Sequence, residues 1–120
     1  MPTKSRKKSW VINLSVVGLQ YRWKAEGRQA LYNLVQKGAI TGLTLQREPD
    51  NRFDSNAIKV NCPPRLFAGR QLGYLTREAA EQLAPKLDSG SLVVKSVELV
   101  EIPHSSTLDT ALVSIRFLDV

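Results

Sequence analysis

A chain of 120 residues, 42% hydrophobic and with Cys62 as its one cysteine, is long enough to bury a single core, has no internal disulfide and does not ask for an oxidising compartment. Its 17 basic and 11 acidic side chains give a formal charge of +6, and the excess is unevenly spread: Lys4, Arg6, Lys7 and Lys8 come first, residues 22–77 carry ten basic and four acidic side chains, and residues 78–120 carry three basic and seven acidic. An anionic partner such as nucleic acid is drawn to the first two regions, although a pI near 9.8 also serves plain solubility.

The opening MPTKSRKKSWVINLSVVGLQYR places basic residues ahead of an apolar run, as a secretion signal does. The run is short, contains Asn13 and Ser15, lacks a small-x-small cleavage site and meets Arg22 and Lys24 at once, so it reads as part of the fold. No stretch approaches the length that spans a bilayer, and no membrane association is expected. Residues 1–9 read as a basic disordered arm and residues 10–120 as one domain.

In WVINLSVVGL, Trp10, Ile12, Leu14 and Val16 alternate with Val11, Asn13 and Ser15, the pattern of a half-buried strand. From Glu26 the period changes: Ala30, Leu31, Leu34 and Val35 form one stripe of a short helix with Gly38 as its stop. TGLTLQR and NAIKVNC predict two strands, the second ended by CPP, because proline cannot donate to a ladder. RQLGYL predicts another strand. Thr76 then caps a helix with Glu78 in its first turn, an inner stripe of Ala79, Ala80, Leu83 and Leu87, and Pro85 expected to kink or break it. LVVKSVELVEI and TALVSIRFL predict two long strands around the loop PHSSTLD. Short strands with only two helices predict a mainly β fold, a small antiparallel, partly open barrel of about six strands.

Cys62 and His104 are too few for a thiolate or imidazole zinc site, and a catalytic pair of the two is less expected than a small buried thiol at a strand end. Phosphate-cradling glycine loops and serine elbows are absent, and no cofactor is expected. Glu48, Asp50 and Asp54 lie within seven residues, yet counting from Asp50 the third calcium-loop position is Arg52, a cation. Turn chemistry accounts for Pro49, Asp50 and Asn51 but not for Phe53, Asp54 and Asn56. A ring beside a carboxylate on a basic barrel suits the end of a strand: the ring stacks on a base, and the carboxylate repels phosphate but accepts from a free hydroxyl.

VVGLQY, LQREPDNRFDSNAIKV and LGYLTREAAEQLA together resemble the HIRAN domain, a module of helicase-like transcription factor and related SWI/SNF-type ATPases that also occurs alone or fused in bacterial proteins. The likeness runs over residues 10–118, and the REPDN..D.NAI.V core is its most specific part. It implies a modified OB-type barrel, without catalysis, that captures the 3′-hydroxyl end of single-stranded DNA in repair or replication. Tyr21 and Phe53 then match aromatics on the terminal base, Asp54 the carboxylate on the 3′-hydroxyl, Tyr74 a further pocket position and Arg77 a lysine on the phosphates. This chain departs from the family at three places: Arg52 replaces a usual proline, Phe53 a usual tyrosine, and Gln20 a cation, a charge that Arg52 or Arg22 restores. A further family aromatic near the last loop has no match, and residues 24–40 form a longer insertion.

Each assignment has a plainer rival. Tyr21 and Tyr74 suit a barrel core, and Asp54 a turn cap. A different function is an interaction module docking on a helicase, ATPase or nuclease subunit, and a third is a metal-dependent hydrolase using Glu48, Asp50 and Asp54. The expected location is the bacterial cytoplasm, or the nucleus of a eukaryote, and the expected state a monomer.

Overall fold

The computed structural model describes residues 8–102 and 110–120. Strand β1 (Ser9–Val17) leads through a 3-10 turn, Leu19–Tyr21, into helix α1 (Ala25–Gln36). Strands β2 (Thr44–Arg47), β3 (Ile58–Asn61) and β4 (Gln71–Leu75) follow, then helix α2 (Arg77–Ser89) and strands β5 (Leu92–Glu101) and β6 (Ala111–Asp119). The expected succession of strand, helix, three strands, helix and two strands is the observed one.

All pairings are antiparallel, in the order β2-β3-β4-β1-β6-β5. The two outer strands come round to meet each other, which removes most of the exposed edge that an open sheet would leave. Ile40 and Leu99 exchange backbone hydrogen bonds of 2.9 and 2.8 Å, and the Leu43 amide donates to the Val97 carbonyl at 3.2 Å. The result is a nearly closed barrel with two helices. Alternate residues of its strands, among them Val16, Ile58, Val60, Leu72, Ile115 and Phe117, fill it completely shielded from solvent. Helix α1 adds Leu31 and Val35 to this core, helix α2 adds Ala80, Leu83 and Ala84, and both helices pack on β5.

Local chemistry explains the ends of these elements. The Thr76 hydroxyl accepts from the Ala79 amide at 3.2 Å, satisfying one of the free donors of the first turn of α2, and Gly90 closes the other end in the left-handed conformation at φ 78°. Pro85 does not break α2, which runs unbroken from Arg77 to Ser89. Proline removes one hydrogen bond, to the carbonyl of Glu81, and because both residues are exposed the helix loses it on its solvent side.

The alternation of β1 holds at Trp10, Leu14 and Val16, which lie in or against the core, and is incomplete at Ile12. Ile12 lies on the expected face, opposite the buried Ile115 of β6, yet is 38% exposed. The reason is the sheet: β4 pairs only with Val16 and Val17, so the first half of β1 has β6 as its single neighbour and lies beyond the closed part of the barrel. Where β1 and β4 do meet the fit is close, since a Cβ at Gly73 would sit 2.3 Å from the carbonyl oxygen of Val17.

Candidate nucleic-acid interface

The connection from β2 to β3, residues 48–57, is a loop tied by its own short polar side chains. Asn51 Oδ1 accepts from the amides of Phe53 (2.9 Å) and Asp54 (3.0 Å), and Asp54 Oδ1 accepts from the amide of Asn56 at 2.9 Å. These bonds replace the ladder that the backbone lacks here, and they fix the loop without any apolar anchor at its tip. Backbone bonds from Glu48 N–H to the Ala57 carbonyl and from Ala57 N–H to the Asp54 carbonyl, both 3.0 Å, close its base.

Arg47, which the sequence did not single out, braces this loop from beneath. It donates to both oxygens of Asp88 on α2 at 2.8 and 3.0 Å and to the carbonyls of Ala57 (2.8 Å) and Ser55 (2.9 Å). A planar guanidinium makes such a fork where lysine could not. The Asp88 hydrogen bond is the main reason the Arg47 pKa rises, and the same bond holds the Asp88 carboxyl below its ordinary value.

Glu48 organises the next layer. Its Oε1 accepts from the Tyr74 hydroxyl at 2.7 Å and from Asn51 Nδ2 at 3.1 Å, and its Oε2 lies 3.3 Å from Lys59 Nζ. Burial alone would raise this carboxyl, but the bonds from Tyr74, Asn51 and Lys59 outweigh it and leave the pKa below its ordinary value. Of the three carboxylates considered for a cation, Glu48 is thus engaged with donors, and among the described residues no group of three metal-ligating side chains converges.

Above this layer lies a cleft of about 560 Å³. Val17, Ala57 and Leu75 give it apolar walls, Phe53 and Tyr74 supply rings, and Asn51, Asp54, Arg22 and Arg77 complete the lining. Phe53 is 86% exposed, a ring that contributes nothing to the core. Asp54 is half-buried; with Oδ1 engaged by Asn56, its Oδ2 stands 3.8 Å from Arg77 Nε, beyond hydrogen-bond distance, and so remains an acceptor. Arg77 also donates to the Phe53 carbonyl, and the Arg22 guanidinium lies 5.8 Å from the centre of the Tyr74 ring.

Five of the seven residues singled out in the sequence therefore share one cleft: Arg22, Phe53, Asp54, Tyr74 and Arg77. Arg52 is exposed on the neighbouring hollow of about 500 Å³, formed by residues 46–53, which Phe53 borders as well. Tyr21, in the 3-10 turn, is 84% exposed and does not line either hollow. The plainer reading of Tyr21 as a core residue is thereby corrected. Tyr74 is the intermediate case, a half-buried ring whose hydroxyl is already satisfied by Glu48. Asp54 caps a turn and lines the cleft at once.

Cys62 is buried at the end of β3, and desolvation pushes its thiol up to about 11, with Arg70 opposing. His104 lies outside the described residues, so a pairing with Cys62 is not part of this geometry. No helix among the described residues is long and apolar enough to cross a membrane.

Comparison with known proteins agrees with the likeness seen in the sequence. The family pattern of the HIRAN domain matches residues 10–116. A Fanconi-associated nuclease 1 homolog of Oryza sativa subsp. japonica is 39% identical over 84 residues, 67% of this chain and 7% of that protein. Helicase-like transcription factor of Oryctolagus cuniculus is 44% identical over 55 residues, 46% of this chain and 5% of that protein. The chain thus corresponds to a small part of the length of either relative. Among solved structures, the HIRAN domain of human HLTF superposes with a TM-score of 0.60 at 26% identity, over 91% of this chain and 75% of that one. A protein from Lactobacillus plantarum, at 19% identity and a TM-score of 0.59 over 96% and 100% of the two chains, shares the fold. On the match of residues 10–116, this chain belongs to the HIRAN domain family.

Proposed function

We propose that this HIRAN domain is a non-catalytic DNA-binding module whose Phe53–Asp54 cleft receives the free 3′-hydroxyl end of single-stranded DNA. The observation that carries the proposal is the state of Phe53: 86% exposed on a loop held by side-chain hydrogen bonds and braced by Arg47, it is a ring presented outward. A ring held on a braced loop offers its face to a base, and stacking there would remove both from water. Asp54 Oδ2 accepts from the terminal hydroxyl and repels a terminal phosphate. Arg22 and Arg77 meet the phosphates, Tyr74 bounds the cleft, and Tyr21 and Arg52 reach the strand from just outside it. The domain takes in β1 from Ser9 onward, one residue before the boundary expected from the sequence, the basic residues ahead of it add sequence-blind attraction, and it acts as a monomer in DNA repair or replication.

The test is a titration of short labelled oligonucleotides that differ only in a 3′-hydroxyl or a 3′-phosphate. Free ends bind more tightly, and Asp54→Ala removes the difference. Equal affinity of the wild-type protein for both ends would overturn end recognition.

A second reading, a docking module for a helicase, ATPase or nuclease subunit, has one observation in its favour: the matched relatives are many times longer than the segment they share with this chain. Failure to bind any oligonucleotide at low salt would select it. A hydrolase is the least favoured, because Glu48 is taken up by Tyr74, Asn51 and Lys59. Divalent-ion-dependent cleavage of DNA that Asp54→Asn abolishes would reverse this ranking.

A further inference from the structure

Two arginines at the cleft, Arg22 in its lining and Arg70 beside it, have no carboxylate partner among the described residues. Arg47, Lys59 and Arg77 each have a carboxylate partner, Asp88, Glu48 and Asp54 respectively. Among the described residues Arg22 and Arg70 have none, and both are exposed. They are also joined: Arg70 Nη2 donates to the Arg22 carbonyl, and the Arg70 guanidinium lies 4.4 Å from the centre of the Trp23 ring. Trp23 itself is buried and fixed, its Nε1 donating to the Gln71 carbonyl at 3.0 Å. Arg70 is therefore a cation held in one place by a rigid ring, where an unconstrained arginine would lose more freedom on binding.

Beyond Trp23 stands Phe67, edge-on to it with ring centres 5.0 Å apart and 36% exposed. Phe67 and Ala68, in the connection from β3 to β4, both adopt left-handed backbone, with φ of 53° and 54°. Two consecutive non-glycine residues in that region are strained, and such strain persists where the surroundings hold it and tends to mark sites with a task. The contacts thus form one continuous run from the cleft outward: Tyr74, Arg22, Arg70, Trp23, Phe67.

We propose that this run is a second DNA contact, in which Arg22 and Arg70 hold the phosphates on the 5′ side of the terminal nucleotide and Phe67 stacks on a base farther upstream. The inference rests on the reading of the cleft as the site of the strand end, because it is the cleft that sets the direction of the path. A ring interleaved with unpaired cations is the arrangement by which a single strand is tracked without regard to sequence.

The test uses the full 120-residue chain and oligothymidylates of increasing length with free 3′ ends. Affinity of the wild-type protein rises from dinucleotide to hexanucleotide. In Arg70→Gln that gain shrinks and the slope of log affinity against log salt becomes shallower by about 0.7, the value for one phosphate of a single strand. Arg70→Lys restores the slope. Phe67→Leu, which keeps an apolar contact with Trp23, costs hexanucleotide binding about fivefold or more, as expected for one stacked base. Unchanged thermal unfolding shows that each variant is folded. A length gain and salt slope in Arg70→Gln and Phe67→Leu equal to wild type would overturn the second contact even if end preference stands. Equal binding of free and phosphate-blocked ends, with the length gain still lost in Arg70→Gln, would overturn the cleft reading and leave the phosphate track in place.

Discussion

At the scale of single residues, the contrast between Phe53 and Gly73 separates binding from stability. Phe53→Ala removes a ring that the core does not use, so it is expected to lower affinity for single-stranded DNA about fivefold or more while leaving the unfolding temperature nearly unchanged. A fall in stability without a fall in binding, measured by thermal unfolding and titration side by side, would show that the ring packs after all. Gly73→Ala has the opposite signature. Its new methyl meets the Val17 carbonyl, and forcing β1 and β4 apart costs about 1–3 kcal/mol of stability. Cys62 illustrates a third case. With its thiol raised to about 11 by burial, it is neutral near pH 8, and iodoacetamide is expected to label it only after denaturant is added.

At the scale of elements, the 48–57 loop owes its shape to the strand before it and the helix after it. Arg47→Met removes the fork that ties the carbonyls of Ser55 and Ala57 to Asp88. Urea unfolding is expected to show a loss of about 1–3 kcal/mol, together with weaker DNA binding, because the loop that carries Phe53 loses its brace. Glu48 gives the same region a pH dependence. Its carboxyl is held below its ordinary 4.5, so the unfolded chain takes up the proton first as acid is added. The stabilisation is complete above about 4.5 and is lost as pH falls through the lower folded value. Glu48→Gln should therefore flatten the acid limb of a stability profile, and an unaltered limb would show that Tyr74, Asn51 and Lys59 do not hold the carboxylate in solution.

For the whole molecule, the positive charge of residues 22–77 and of the first eight residues is the long-range term, and the cleft is the short-range one. If two or three phosphates are neutralised, log affinity falls against log salt with a slope of about −1.4 to −2.1. Removing residues 1–7, which keeps the Lys8 carbonyl that accepts from the Asp119 amide and the pairing of Ser9 with Leu118, should weaken binding at low salt and lessen the slope without altering the ratio between free and blocked ends. A truncated chain that keeps the full slope would assign the salt dependence to the barrel alone. The same division separates sites from scaffold: the acidic last third, residues 78–120, supplies most of α2 with β5 and β6, which close the barrel and anchor Arg47 through Asp88.

The sequence by itself determined the succession of elements, the capped start of α2 at Thr76 and the grouping of Phe53 with Asp54 on a loop, because alternation, capping and turn chemistry are local and repeat over a few residues. The family was legible for the same reason: its most specific motif is one contiguous stretch ending in NAIKV. Pro85 leaves α2 unbroken and Ile12 stays exposed on its expected face where a local rule met a long-range circumstance, a solvent-facing helix side in one case and a missing sheet neighbour in the other. Only the tertiary structure decided that Tyr74 is tied to Glu48, that Arg47 reaches Asp88 41 residues away, that Tyr21 stands outside the cleft and that Arg70 lies over the Trp23 ring. Those relations depend on how far the barrel closes and on which strands lie side by side, and no spacing along the chain encodes the distance between side chains that closure brings together.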